Sequence, residues 1–169
     1  MAQFLDIYGP VVADSVYADN VLVARDVAVT LPEVTPTTAD LQAMGTMSMP
    51  IWQLLDNMEL EITRIGIDKG LSNLLKPEPL PLELRWAQTR TDANGATKNV
   101  GCKAFLRGTP NKLPGLGVEP GSASESSCTV MITRYQLIVD GQELFLIDRL
   151  AGIVRIAGKD YAADLNNML

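Results

Sequence analysis

Histidine is absent from the 169-residue sequence, which removes the commonest general base and the commonest metal ligand. Ser-His-Asp and Cys-His nucleophiles are therefore impossible here. A hydrolase would have to work with carboxylates or lysine alone. Glu83 with Asp148 is the candidate pair, and no motif surrounds either residue. Asp68, Asp92 and Asp148 suggest a cation site only by type, since no EF-hand spacing links them. No CxxC, HExxH, GxSxG, Walker or GxGxxG pattern occurs. The two cysteines, Cys102 and Cys128, lie in apolar, strand-like runs and are expected to be core thiols in a reducing compartment. Neither a catalytic centre nor a cofactor or metal site is expected.

The net charge is −6, which disfavours a grip on phosphates, because nucleic-acid binding needs clustered Lys and Arg. Arg85, Arg90, Arg107 and Arg134 fall on different strands and are not expected to form a basic stripe. Apolar residues make up 47% of the chain, enough for a core and too much for general disorder. They are spread over short runs, none near the roughly 20 residues that cross a bilayer. The start, Met1 to Asp6, lacks a basic region and an apolar run, so no leader peptide is expected. One domain, residues 1–169, accounts for the length.

The elements that would carry these side chains are mostly strands. Residues 1–20 give no clear pattern. Val21 to Leu31 is valine-rich and reads as a strand, which Pro32 and Pro36 end. Residues 33–43 read as an extended loop. Gly45 to Trp52 reads as a strand, turned back by 53–57 onto Met58–Thr63, whose apolar and polar residues alternate without a fault. Ile67, Leu71, Leu74 and Leu75 recur at helical spacing, and Asp68 is placed to cap a short helix within 66–76. Further strands are expected at 82–87 and 100–106, flanking the Asn94-Gly95 turn. A Pro- and Gly-rich loop is expected at 109–121, and the longest strand at 125–139. Asp140-Gly141 turns that strand into 143–147 and then 153–156. Tyr161, Leu165 and Leu169 stand four apart on an expected C-terminal helix. The sum is a mainly β fold with minor α content. It is an antiparallel β-sandwich or barrel with one mid-chain helix and a C-terminal helix.

Several short runs resemble the major tail tube proteins of contractile phage-type tails. Thr30-Leu31-Pro32-Glu33-Val34 is similar to their T-L-P-K-L element, and Met58-Glu59-Leu60-Glu61 to the second strand of their first long hairpin. Leu106-Arg107-Gly108 is similar to the L-R-G that ends a middle strand. Tyr135-Gln136-Leu137-Ile138-Val139-Asp140-Gly141, then Glu143 and Ile147-Asp148, resembles the Y-x-L-x-V-D-G-x-E-x-x-x-I-D signature. Ile156 to Asp160 resembles I-N-G-x-D, with Ala157 in place of Asn. The resemblance runs from about residue 20 to the end.

The resemblance implies a non-enzymatic subunit that forms hexameric rings. Two long hairpins per copy would build an inner β-barrel shared between subunits, and the rings would stack into a tube. The implied partners are further copies of the chain, the tail sheath protein, and the baseplate, initiator and terminator proteins. DNA would pass through without specific binding, and the chain would not enter a membrane. The implied location is the tail tube of the virion, assembled in the host bacterial cytoplasm. On that basis Glu59, Glu61, Glu125, Ser127, Thr129 and Thr133 are expected to face the channel, and Met58, Leu60, Ile62, Cys128, Val130 and Ile132 the core. Tailocins and the type VI secretion tube share the same implied architecture with a different cargo. A monomeric β-sandwich binding module is the alternative outside this class, and it would stay strictly monomeric under all conditions. Trp52 and Trp86 are expected to be core or interface aromatics.

Overall fold

The structure, a computed structural model, describes residues 5–169. The expectation about a leader peptide rests chiefly on Met1–Phe4, which lie outside the described residues. Twelve strands, a 3-10 helix and one short α-helix follow in chain order. They are β1 Ile7–Ala18, β2 Val21–Arg25, β3 Ala28–Thr30, β4 Pro36–Gln42, β5 Thr46–Leu55, β6 Met58–Ile65, the 3-10 helix Lys69–Leu74, β7 Leu80–Thr91, β8 Thr97–Lys112, β9 Glu125–Val139, β10 Gln142–Asp148, β11 Ile153–Ile156, β12 Lys159–Asp160 and α1 Ala163–Met168.

Pairing is antiparallel throughout, as short connections between successive strands favour. The main sheet runs β12-β11-β10-β9-β8-β7-β1-β2. Strand β9 is its hinge. One edge of β9 carries β6 along Glu125–Ile132 and then β10 along Arg134–Val139, while β8 takes the other edge. Strand β3 continues beyond β6.

The sheet bends because β9 carries one residue too many. Arg107 pairs with Arg134 and Gly108 with Ile132, leaving Thr133 unmatched as a β-bulge. Before the bulge the even residues Cys128, Val130 and Ile132 are buried; after it Tyr135 is. The bulge thus switches which parity faces inward and folds β6 and the first half of β9 over β7, β1 and β2. Met58, Leu60 and Ile62 from one layer share a core with Val16, Leu82, Leu84 and Leu106 from the other.

Several sequence expectations change. Residues 7–18, which show no pattern, form a twelve-residue strand, because its outer half is exposed on both faces and shows no burial period. The valine-rich run 21–31 breaks at Asp26, whose φ of 52° sends β2 and β3 into different layers. Residues 33–43 are not a loop; Pro36–Gln42 pairs with β5. Strand β5 does not pair with β6, as a turn at 53–57 had suggested. The 3-10 helix is narrower than 66–76, though Asp68 caps it, its Oδ1 accepting from the Leu71 N–H at 3.2 Å. Strand β8 runs through Pro110 to Lys112, into the expected loop. Helix α1 spans six residues with none buried, and Tyr161, Leu165 and Leu169 are exposed. The chain closes no barrel by itself: among the described residues the β2 and β3 ends of the sheet do not pair.

Candidate functional site

Among the described residues no three His, Cys, Asp or Glu side chains gather as metal ligands would, and the distinctive features lie on the surfaces. Glu83 and Asp148 stand on β7 and β10 with two strands between them, so they form no catalytic pair. Glu83 is bound by Arg85 at 2.5 Å. Asp148 accepts the Leu150 and Ala151 N–H groups at 3.1 and 3.0 Å. Asp92 accepts those of Asn94 and Ala96 at 2.8 and 3.0 Å. Asp68, Asp92 and Asp148 therefore each stabilise a local turn, and they do not converge. Cys102 and Cys128 are buried, and burial pushes both thiols up.

One outward face carries the acidic residues. Along β6, Met58, Leu60 and Ile62 are buried while Glu59 and Glu61 are exposed. Across the sheet Glu59 lies beside Met131 and Thr109, and Glu61 beside Thr129 and Lys112. Ser127 adjoins Thr63, and Glu125 adjoins Ile65. The carboxylates of Glu59, Glu61 and Glu125 are open to solvent, and Ser127 and Thr133 are half-buried. Thr129 is only 8% exposed, and its hydroxyl is engaged with Asn111 Oδ1 at 2.5 Å. Thr133 occupies the bulge and donates to the Arg107 carbonyl at 3.2 Å.

The second surface is the β4–β5 hairpin, an arm whose strands pair only with each other. Its register sorts the side chains cleanly. Ala39 opposes Met49, Leu41 opposes Met47 and Thr37 opposes Ile51 on one face; Asp40 opposes Ser48 and Gln42 opposes Thr46 on the other. The polar face is cross-linked, Ser48 donating to Asp40 and Gln42 to Thr46. On the apolar face Leu41, Met47 and Met49 are exposed; Met44 at the tip is exposed as well, and so are Trp52 and Leu54, which share the parity of Ser48 on the opposite face. Trp86, by contrast, packs on the core. An isolated two-stranded hairpin is marginal in water, and an amphipathic one with bare methionines presents a contact surface.

Arg64 ends the buried stripe of β6 and is itself 8% exposed. Its guanidinium bonds the Val23 carbonyl at 3.4 Å and the Asp68 carboxylate, tying β2 to the 3-10 helix. Sequence periodicity offers no cue for an arginine on a core face.

On a third surface two of the four dispersed arginines meet. Strand register sets Arg107 directly opposite Arg134, and Arg85 opposite Lys103. Ser15 separates Arg85 from Arg25 in the same row. Only Arg90 stands off, bound to Asp6. These cations point away from the core on the layer formed by β1, β7, β8 and the second half of β9, so the acidic and basic faces lie on either side of one core.

The model of the phage tail tube protein FII family matches residues 12–169. No curated protein matches the chain. A mainly antiparallel β architecture, an uncovered arm and open sheet edges agree with a protein built to join its own kind. The chain belongs to the phage tail tube protein FII family, whose members are structural components of the phage tail.

Proposed function

We propose that this chain forms hexameric rings that stack into the inner tube of a contractile tail, with the β4–β5 arm as the principal joint between copies. The supporting observation is the arm's amphipathic register. Ala39, Leu41, Met47, Met49 and Ile51 share one apolar face, on which Leu41, Met47 and Met49 stay exposed among the described residues while Ala39 and Ile51 are half-buried. Among the described residues both edges of the arm are also unpaired, so a neighbour's strands extend the sheet while its side chains cover the methionines. Ring closure removes edges that would otherwise seed disordered aggregation.

In this arrangement Glu59, Glu61, Glu125, Ser127 and Thr133 line or border the bore, with Thr129 beneath them. A carboxylate- and hydroxyl-lined wall repels phosphates, and DNA slides without being held. The sheath, baseplate, initiator and terminator proteins are the further partners, and the virion tail, assembled in the host cytoplasm, is the location. A tailocin would use the same tube without a genome.

Replacing Met47 and Met49 together by Glu tests the arm. The subunit should remain folded, because neither side chain contributes to the core, and negative-stain microscopy should show no tubes where the parent chain forms them. Tubes of normal length from this variant would refute the assignment. Converting Glu59 and Glu61 to Lys should leave assembly intact and slow DNA ejection; unchanged ejection would remove the bore assignment.

A further inference from the structure

Met47 and Met49 stand two residues apart on β5, so both thioethers leave the arm on the same face. They are 46% and 44% exposed, whereas Met58 on the core face of β6 is 0% exposed. Met44 at the tip and Met168 on α1 are exposed outside that face, and Met131 is half-buried. The surroundings of Met47 and Met49 are apolar: Met47 faces Leu41 across the hairpin and Met49 faces Ala39. The polar side chains of the arm are engaged elsewhere. Ser48 donates to Asp40 and Gln42 to Thr46 on the opposite face. Thr37, at the root of the apolar face, donates its hydroxyl to Asp56 at 3.3 Å.

A thioether is apolar and pliant, and packs readily in a dry contact. A sulfoxide is polar, and burying it without a hydrogen-bond donor is costly. Water solvates either form on a free arm, so oxidation penalises the joined state alone. Resting on the reading of the arm as the joint between copies, we propose that Met47 and Met49 are reversible oxidation sites for hydrogen peroxide, and that their sulfoxides keep a free subunit from joining its neighbours. A sulfur lone pair attacks one oxygen of the peroxide. The S–O bond forms as the O–O bond breaks, and the second oxygen leaves as water with both protons. Sulfur gives up two electrons and the peroxide takes them. Reduction by methionine sulfoxide reductases restores the thioether: the oxygen leaves as water while a dithiol becomes a disulfide. Oxidation follows exposure. Both sulfurs are open on the free chain, and a neighbour that covers the face shields them. The site therefore disables an unassembled subunit and spares an installed one.

The purified full chain is treated with hydrogen peroxide before assembly and followed by peptide mass spectrometry and negative-stain microscopy. Met47 and Met49 should each gain one oxygen while Met58 gains none, and the denaturation midpoint should not move. The chain concentration needed for tubes should rise at least about tenfold, and should return after treatment with the reductases and dithiothreitol. M47L/M49L keeps an apolar face of similar volume and leaves Met44 and Met168 oxidisable, so it should form tubes equally well before and after peroxide. Tubes formed before peroxide is added should take up oxygen at Met47 and Met49 at least about tenfold more slowly than the free chain. An oxidised parent chain that assembles normally overturns the inference. So does an M47L/M49L chain that loses assembly on oxidation, equal oxygen uptake by tubes and free chain, or a lowered midpoint, which would make the loss one of folding. The joint is judged separately by M47E/M49E. If that variant forms no tubes while the doubly oxidised parent does, the joint stands and the oxidation switch falls; if both form tubes, both fall.

Discussion

Gly108 packs so tightly against the backbone oxygen of Met131 that a Cβ at position 108 would overlap it and would also lie 2.8 Å from Ile132 Cδ1. This close approach sits beside the Thr133 bulge, where β8 and β9 bend together and the sheet folds over its core. Backbone cannot yield as a flexible side chain can, so the smallest possible substitution is felt here.

Gly108→Ala is therefore expected to destabilise the subunit by about 2–3 kcal/mol, read as a lowered denaturation midpoint by circular dichroism. Gly101→Ala serves as the control. It lies on the same strand with open space where the Cβ would go, and should change stability by less than about 0.5 kcal/mol.

The Arg64–Asp68 pair is expected to show strong coupling. Asp68→Ala removes both the cap of the 3-10 helix and the carboxylate facing a buried guanidinium. The cost should be about 2–3 kcal/mol, the lower part of the buried-pair range because Asp68 is itself half open to water. Combining Arg64→Met with Asp68→Ser, which keeps a capping oxygen, should recover roughly half of that loss. Urea unfolding of Arg64→Met, Asp68→Ser and their combination against the parent chain gives the coupling directly.

Glu143 and Tyr135 each make stability depend on pH. Hydrogen bonding from Arg155, and secondarily from Gln136, holds the Glu143 carboxyl below its ordinary value. Its contribution is complete above the ordinary carboxylate range and is lost as pH falls through the lowered folded value. Glu143→Gln should flatten the acid limb of the stability profile, by no more than about 1 kcal/mol for a partly exposed pair. Burial pushes the Tyr135 phenol up to about 12. Above pH 10 the unfolded chain sheds a proton that the folded one keeps, so stability falls as pH climbs from 10 toward 12. Tyr135→Phe should lessen that alkaline loss while keeping the edge-to-face contact with Phe145.

What the sequence shows depends on whether a side chain's surroundings lie within its own chain. Met58–Thr63 reads correctly because one face meets the core and the other water, so the alternation is written in residue type. The Asp68 cap and the Asp140-Gly141 turn read correctly because their chemistry is local. The arm strand Pro36–Gln42 is invisible because its partners for burial are absent from the chain, and its Thr, Pro and Asp residues look like a loop. The bulge at Thr133 is likewise silent: an inserted residue shifts parity without changing composition. That shift puts Arg107 and Arg134 face to face, so the basic surface emerges only from strand register. Arg64 escapes notice because a buried arginine is recognisable only once Val23 and Asp68 are seen beside it.

The proposed assembly has the arm joining neighbouring copies into a closed wall with an acidic bore. An electron cryo-microscopy map of the native tube at side-chain resolution tests it most directly. It should show the Leu41, Met47 and Met49 face covered by the adjacent copy, and Glu59 and Glu61 lining the channel. Arms left free in solvent, or Lys103 and Arg107 pointing into the channel in place of those glutamates, would contradict the account.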